Sequence, residues 1–218
     1  MKSLSLFIAN VCIALLLLVT SSFAQKLDSI SAKALYGFAG DDLKILAELD
    51  HIDHYKLSFD KQTFSGNSFI VLTTKEYSRG KVVKQDTLIS AEAAKEYFSF
   101  KKLDSTTKFT LTTKPQGDSV KFLFRILNAQ FTKTYKRLND DAYSLRDGLV
   151  TNEEFKRIPL NKTLPLFAYS LPYDDPKQPN ARFYCAITAN GVQPDKWWET
   201  YKIPHYIIVE MKIVSEPQ

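Results

Sequence analysis

The chain of 218 residues carries a formal net charge of +5, and its composition of 44% apolar, 24% charged and 13% aromatic residues is typical of a folded globular protein. Seven glycines argue against a glycine-rich nucleotide-binding fold, and two cysteines exclude a disulfide scaffold or a multi-cysteine metal cluster. Because the positive charge comes from evenly spread lysines with few arginines, we expect no nucleic-acid partner.

The N-terminal 24 residues have the pattern of a bacterial signal peptide. A short positive start leads into an apolar stretch, and Ser22 and Ala24 supply the small residues that signal peptidase requires. The densest apolar run, 11–19, is much shorter than the roughly 20 residues that span a bilayer. Cys12 lies inside that run rather than at its end, which argues against a lipid anchor. We therefore expect cleavage after Ala24, no stable membrane anchor afterwards, and a periplasmic or secreted protein.

A helix is the first element with a clear pattern in the remaining chain. Asp41 can cap it, because a carboxylate accepts hydrogen bonds from the free N–H groups of the first turn. Apolar residues then recur at three- and four-residue spacing, which predicts one stripe facing a core; they are Ile45, Leu46, Leu49 and Ile52. The preceding segment, 26–38, is compatible with a loose strand or a helical turn.

Beyond this helix the hydrophobic period changes to two, which predicts β-strands. One hairpin is indicated around Arg79-Gly80 and a second around Pro115 and Gly117, because these are turn-forming residues. A short helix capped by Ser90 lies between the two hairpins. The segments with strand character are 55–59, 69–74, 82–89, 109–112, 120–126, 131–138 and 142–145.

A proline-rich segment, 159–179, is predicted to be extended and looping. It resembles an interdomain linker in composition, but apolar residues such as Leu166 and Phe167 predict that it packs across the body of the protein. The final part of the chain is predicted to form a strand, a short helix and a long strand; these are 182–188, 195–201 and 205–214.

Together these elements predict a single α+β domain over residues 25–218. Its sheet is expected to be mostly antiparallel, as a curved sheet or a sandwich with two or three short helices, because long helices do not alternate with the strands.

The pentapeptide 50–54 is the densest cluster of metal-ligating side chains. If the first helix continues, His51 and His54 lie three residues apart and can share a metal ion, with Asp50 or Asp53 completing the ligands. The alternative is a set of exposed residues at the end of a helix, where protonated imidazoles are favourable. No HExxH pattern is present, and no cofactor is expected.

A second candidate for chemistry is the pair Cys185 and His205. His205 is in phase with the apolar residues of the last strand, which predicts a buried and hydrogen-bonded histidine. Cys185 shares a predicted strand face with apolar residues, as a core thiol does. A nucleophilic pair stays open as the alternative, although the sequence has no G-x-S-x-G motif or oxyanion-hole signature.

The strongest recognition feature is the group Trp197, Trp198 and Tyr201. Exposed aromatic rings can stack on a sugar or anchor a protein partner. The alternative is that one tryptophan fixes the short helix to the sheet, since adjacent helical residues point about 100° apart.

Several residues of the C-terminal quarter form a recognisable arrangement: 164–169 (LPLFAY), 182–185 (RFYC), Gly191, Pro194, the Trp197-Trp198 pair and 203–206 (IPHY). This arrangement resembles the C-terminal signature of a family of small exported bacterial proteins of unknown function. The resemblance implies export and one compact domain, and it transfers no catalytic residues.

The function predicted from these features is a non-enzymatic binding module of the bacterial envelope that engages a protein or a glycan. A protein that neutralises a toxin acting in the envelope is one specific form of this hypothesis. The alternative is a hydrolase that uses a metal ion at His51/His54 or a Cys185–His205 pair.

Overall fold

The computed structural model describes residues 29–60, 68–100, 108–126, 129–174, 182–184 and 191–216, so the predicted signal peptide and Cys185 lie outside the described residues. The strands are β1 (Ser29–Tyr36), β2 (Asp53–Phe59), β3 (Ser68–Ser78), β4 (Lys81–Ile89), β5 (Lys108–Gln116), β6 (Ser119–Ile126), β7 (Ala129–Lys136), β8 (Ser144–Asp147), β9 (Lys156–Pro159), β10 (Thr163–Ser170), β11 (Tyr173–Asp174), β12 (Arg182–Phe183) and β13 (His205–Ser215). The helices are α1 (Asp41–Leu49), α2 (Ala91–Tyr97) and α3 (Trp197–Tyr201), the last preceded by a 3₁₀ turn at Pro194–Lys196. Within these ranges no helix has the length and apolar character needed to cross a membrane.

The strands form two large antiparallel sheets. A six-stranded sheet has the order β7-β6-β5-β2-β1-β9, and a five-stranded sheet has the order β4-β3-β13-β10-β8. Strands β11 and β12 form a separate two-stranded ribbon. This architecture confirms the predicted α+β class with mostly antiparallel sheet. Both predicted hairpins are present, as β3–β4 and β5–β6.

The two large sheets face each other across a core rich in aromatic side chains. The ring of Phe167 on β10 lies 5.1 Å from that of Tyr55 on β2 and 6.3 Å from that of Phe109 on β5. Tyr169, also on β10, meets Phe122 of β6 edge to face at 5.6 Å. Since alternate residues of a strand share a face, the period-two pattern supplies one buried side chain in every two to this core.

The proline-rich segment contains a regular strand rather than the predicted loop. Strand β10 lies between β13 and β8, with Phe167 and Tyr169 fully buried. Proline has no backbone N–H to donate to a strand ladder. Pro165 is accommodated because the pairing with β13 shifts register between Pro165 and Phe167, which interrupts the regular ladder there. The prediction that this segment packs across the body is confirmed, whereas the predicted looping conformation is wrong for β10. Residues 175–179 lie outside the described residues.

Helix α1 differs from the prediction in its cap and in its buried face. Its N-cap residue is Gly40, with φ of 92°, and not Asp41. The predicted core-facing stripe is exposed, with Ile45, Leu46 and Leu49 at 55%, 60% and 73% exposure, and the buried residue of the helix is Ala47. Amphipathic spacing therefore predicted the helix correctly but not the face that packs.

Candidate functional site

The four residues proposed as metal ligands are distributed over three environments. Helix α1 ends at Leu49, so His51 and His54 do not share a helical face, and His51 is exposed in a turn with φ of 53°. The carboxylate of Asp50 lies 2.5 Å from the Lys114 ammonium. Asp53 and His54 are consecutive residues of β2 and therefore point to opposite faces of the sheet. Within the described ranges, no three or more His, Cys, Asp or Glu side chains are placed to hold a metal ion.

His54 is packed as a structural residue on the outer face of the six-stranded sheet. Its Nδ1 lies 2.8 Å from the Thr112 hydroxyl, and its ring stacks on Phe38 at 4.5 Å. Burial, together with the positive charges of Lys56 and Arg125, lowers the pKa of His54 to about 4. The imidazole is therefore neutral at physiological pH.

Asp53 projects between the sheets and joins β2 to β8. Its Oδ2 accepts a hydrogen bond from the backbone N–H of Leu145 at 2.8 Å. Its Oδ1 accepts from the Tyr36 hydroxyl at 3.0 Å and from the Ser144 hydroxyl at 3.3 Å. Burial raises the pKa of this carboxyl, while the hydrogen bonds and the nearby Arg146 charge oppose the increase. Asp53 therefore fixes the position of the Tyr36 side chain at the end of β1.

His205 is buried and hydrogen-bonded, as predicted. Its Nδ1 lies 2.9 Å from the Tyr143 hydroxyl and its Nε2 lies 3.3 Å from Oε1 of Glu76, and all three side chains are buried. Both ring nitrogens thus have partners within the core. The proposed partner, Cys185, lies outside the described residues, so the Cys185–His205 pair stays a prediction.

The aromatic group at α3 divides into one core residue and two accessible ones. Trp197 is 1% exposed, its indole N–H donates to the Val192 carbonyl at 2.9 Å, and its ring lies 4.9 Å from Tyr206 of β13. Trp198 and Tyr201 are half-buried and keep part of their rings in solvent. Trp197 therefore fixes α3 to the five-stranded sheet, and a binding role for Trp198 and Tyr201 stays a prediction.

A cleft that the sequence did not indicate lies where the two large sheets are joined. Strand β8 is an edge of the five-stranded sheet and β9 is an edge of the six-stranded sheet, and the loop 148–155 connects them. This cleft has a volume of about 190 Å³. Its lining comes from β1, β2, β8 and this loop: Ala34, Tyr36, Tyr55, Arg146, Asp147, Val150, Asn152 and Glu153.

Asp147 organises the loop that forms one wall of the cleft. Its Oδ1 accepts from the backbone N–H of Leu149 at 2.9 Å, and its Oδ2 accepts from the backbone N–H and hydroxyl of Thr151 at 2.6 and 2.8 Å. The buried Thr151 hydroxyl in turn accepts from the backbone N–H of Ala34 at 3.0 Å. At Gly148, an added Cβ would lie 2.5 Å from the Pro165 carbonyl oxygen, so the close approach of loop and strand requires glycine. The loop is thus held by both sheets.

Backbone strain is concentrated in the same loop. Val150, Asn152 and Glu153 have φ of 51°, 49° and 65°, in the left-handed region. This conformation is a steric outlier for a β-branched residue and costs of order 1–3 kcal/mol, so it persists only where surrounding contacts impose it. Because Asp147 and Thr151 supply those contacts, the cleft is formed before any ligand arrives.

The cleft contains one partly buried cationic side chain beside two phenols. Arg146 lies with its guanidinium 4.6 Å from the centroid of the Tyr184 ring, and its buried Nε has no hydrogen-bond partner in the part of the chain that the structure describes. Burial raises the pKa of Tyr55 to about 12, and burial together with the Asp53 charge raises the pKa of Tyr36. Both phenols are therefore neutral and serve as fixed apolar and hydrogen-bonding surfaces rather than as bases.

Comparison of the chain with protein-family models, with curated proteins and with solved structures finds no match. The cleft residues also form no local motif, because Ala34 and Thr151, which meet at its wall, are 117 positions apart. The Asp147-Gly148 dipeptide, a common turn signal, was the one local feature that could have drawn attention to this loop.

Proposed function

We propose that this protein is an exported, non-enzymatic binding module of the bacterial envelope and that the cleft beside the loop 148–155 is its binding site. The observation that carries the proposal is a preformed cleft that is lined by the partly buried Arg146 and the exposed Tyr36 and is held in shape by the hydrogen bonds of Asp147 and Thr151. Arg146 is a charged donor, so an acceptor oxygen of a ligand would form a charge-assisted hydrogen bond with it. The export part rests on the signal-peptide pattern of the first 24 residues.

Binding accounts for these residues better than hydrolysis does. Two of the histidines considered for catalysis, His54 and His205, are already engaged in hydrogen bonds with neighbouring side chains. A strained loop that is held open by its own hydrogen bonds suits recognition, because little conformational entropy is lost when the ligand enters. The partner is a protein or a glycan of the envelope, and neutralisation of an envelope-acting toxin is one process that such a module would serve.

An affinity capture experiment tests this proposal. The exported protein is the bait, and envelope and culture-supernatant fractions, analysed for protein and for polysaccharide, are the prey. Two variants act on the cleft, Arg146→Met and Glu153→Lys, and Arg157→Met is the control because Arg157 is an exposed arginine of β9. Thermal unfolding of every variant checks that it folds.

We expect a partner to be captured by the wild type and the Arg157 variant, and at least about tenfold less of it by a folded cleft variant. This factor corresponds to about 1.4 kcal/mol of binding free energy. Equal capture by all four proteins would show that the cleft is not the binding site, and capture of nothing would contradict a binding function.

A further inference from the structure

We infer that the cleft binds a neutral sugar ring, either free or as one unit of an oligosaccharide. This inference deepens the proposed function and rests on it. Three features of the cleft support it: its hydrogen-bonding groups, its charges and its aromatic wall.

The hydrogen-bonding groups require a ligand that both accepts and donates. The Arg146 side chain, which lines the cleft and is partly exposed, can only donate, so the ligand must bring an acceptor oxygen to it. The exposed rim carries the Glu153 carboxylate, which can only accept, and the Asn152 amide, which can do both. Hydroxyl groups supply a donor and an acceptor on one atom, and several of them on one small ring match this arrangement.

The charges and the hydrogen-bonding groups of the cleft together disfavour an ionic ligand of either sign. A carboxylate ligand would pair with Arg146 but would meet the carboxylates of Asp147 and Glu153 in the lining. An ammonium group could pair with these carboxylates, but it has only donors and would leave the Arg146 guanidinium without an acceptor. A neutral polyhydroxylated ligand brings both donors and acceptors and therefore fits best.

One wall of the cleft is a rigid aromatic surface. The Tyr36 residue is 53% exposed, yet its hydroxyl is held by Asp53 and its ring lies 5.1 Å from the Tyr55 ring. An exposed ring of fixed orientation offers a flat face to the C–H groups on one side of a pyranose, with little loss of side-chain entropy. A volume of about 190 Å³ is below the usual size of a site for a drug-sized ligand and suits a single ring.

The inference is tested with a glycan array followed by titration calorimetry. The exported protein is applied to glycans of three classes: neutral hexose-containing, uronic-acid-containing and free-amine-containing. The neutral oligosaccharide with the strongest signal and its constituent monosaccharide are then titrated separately, which distinguishes a free sugar from a unit within a chain.

Two matched pairs of variants connect the signal with the cleft. Tyr36→Ala removes the aromatic wall, and Tyr97→Ala removes a comparably exposed tyrosine of α2. Glu153→Gln removes the rim carboxylate, and Glu154→Gln changes its exposed neighbour, which does not line the cleft. We expect about tenfold weaker binding for Tyr36→Ala, about fivefold weaker binding for Glu153→Gln, and unchanged binding for both controls.

The possible outcomes separate this inference from the proposed function. Binding of a neutral sugar that is weakened by the cleft variants supports both. Preference for acidic or amine-bearing glycans, or binding that the cleft variants do not weaken, overturns the sugar assignment. Failure of the wild type to bind any arrayed glycan also overturns it, and the proposed function then stands only if the capture experiment yields a protein whose binding depends on the cleft.

Discussion

Replacement of Trp197 by alanine should separate the packing role of α3 from a role in recognition. The side chain is 1% exposed, contacts Tyr206 and donates a hydrogen bond to Val192. Removing a fully buried tryptophan typically costs about 3–5 kcal/mol through lost transfer free energy and the cavity that remains. This is a large share of the roughly 5–15 kcal/mol that stabilises a typical domain. The adjacent Trp198 is half-buried, so Trp198→Ala should cost about 1 kcal/mol or less.

Urea unfolding monitored by far-UV circular dichroism measures both effects, because removing one of two tryptophans makes fluorescence a poor common probe. With a slope of about 2 kcal/mol per M, the midpoint should fall by about 1.5–2.5 M in Trp197→Ala and by about 0.5 M or less in Trp198→Ala. Equal shifts in the two variants, or the larger shift in Trp198→Ala, would refute the assignment of Trp197 to the core. If Trp198→Ala abolished ligand binding without changing stability, the recognition surface would lie at α3 and not at the cleft.

Three further predictions concern pH, an exposed helix face and a close backbone approach. The pKa of His54 is about 4 in the folded protein and 6.5 as its ordinary value, so its contribution to stability is full above pH 6.5 and is lost as the pH falls through 4. With solvent screening of this partly accessible ring included, the loss of unfolding free energy should be about 1–2 kcal/mol. Urea unfolding at pH 7 and pH 4 should show a smaller loss in His54→Gln than in the wild type. The same pH dependence in both proteins would contradict this prediction. Leu46→Ser should change the unfolding free energy by no more than about 0.5 kcal/mol, whereas a loss several times larger would mean that the α1 stripe is buried in solution. Gly148→Ala should cost about 1–3 kcal/mol, because its Cβ would lie 2.5 Å from the Pro165 carbonyl oxygen, and an unchanged melting temperature would argue against this approach.

Most of the secondary structure was predictable because its signals are local. The alternation in Val120, Phe122, Phe124 and Ile126 corresponds to four buried side chains on one face of β6. Ser90 caps α2 as predicted, since its hydroxyl accepts from the backbone N–H of Ala93. These signals involve residues within a few positions of each other, so no tertiary contact is needed to interpret them.

The pentapeptide 50–54 shows where local interpretation fails. A helical continuation would have placed His51 and His54 on one face, but the chain leaves α1 and enters β2 at Asp53. The strand then sends Asp53 into the core and His54 outward, because consecutive strand residues alternate. This outcome was decided by the pairing of β2 with two other strands. One is β1, which precedes α1 in the chain, and the other is β5, which is distant in the sequence.

The sequence by itself determined the antiparallel β-rich class, both hairpins and the burial of His205, because each follows from periodicity or turn chemistry over a few residues. Only the tertiary structure decided that the stripe of α1 faces solvent and that Tyr36, Arg146 and Glu153 line one cleft. That cleft exists because β8 and β9 are edges of different sheets, so the loop between them must cross from one to the other. The hydrogen bond that ties this loop to β1 joins Thr151 to Ala34, 117 positions away, and no local pattern encodes such a contact.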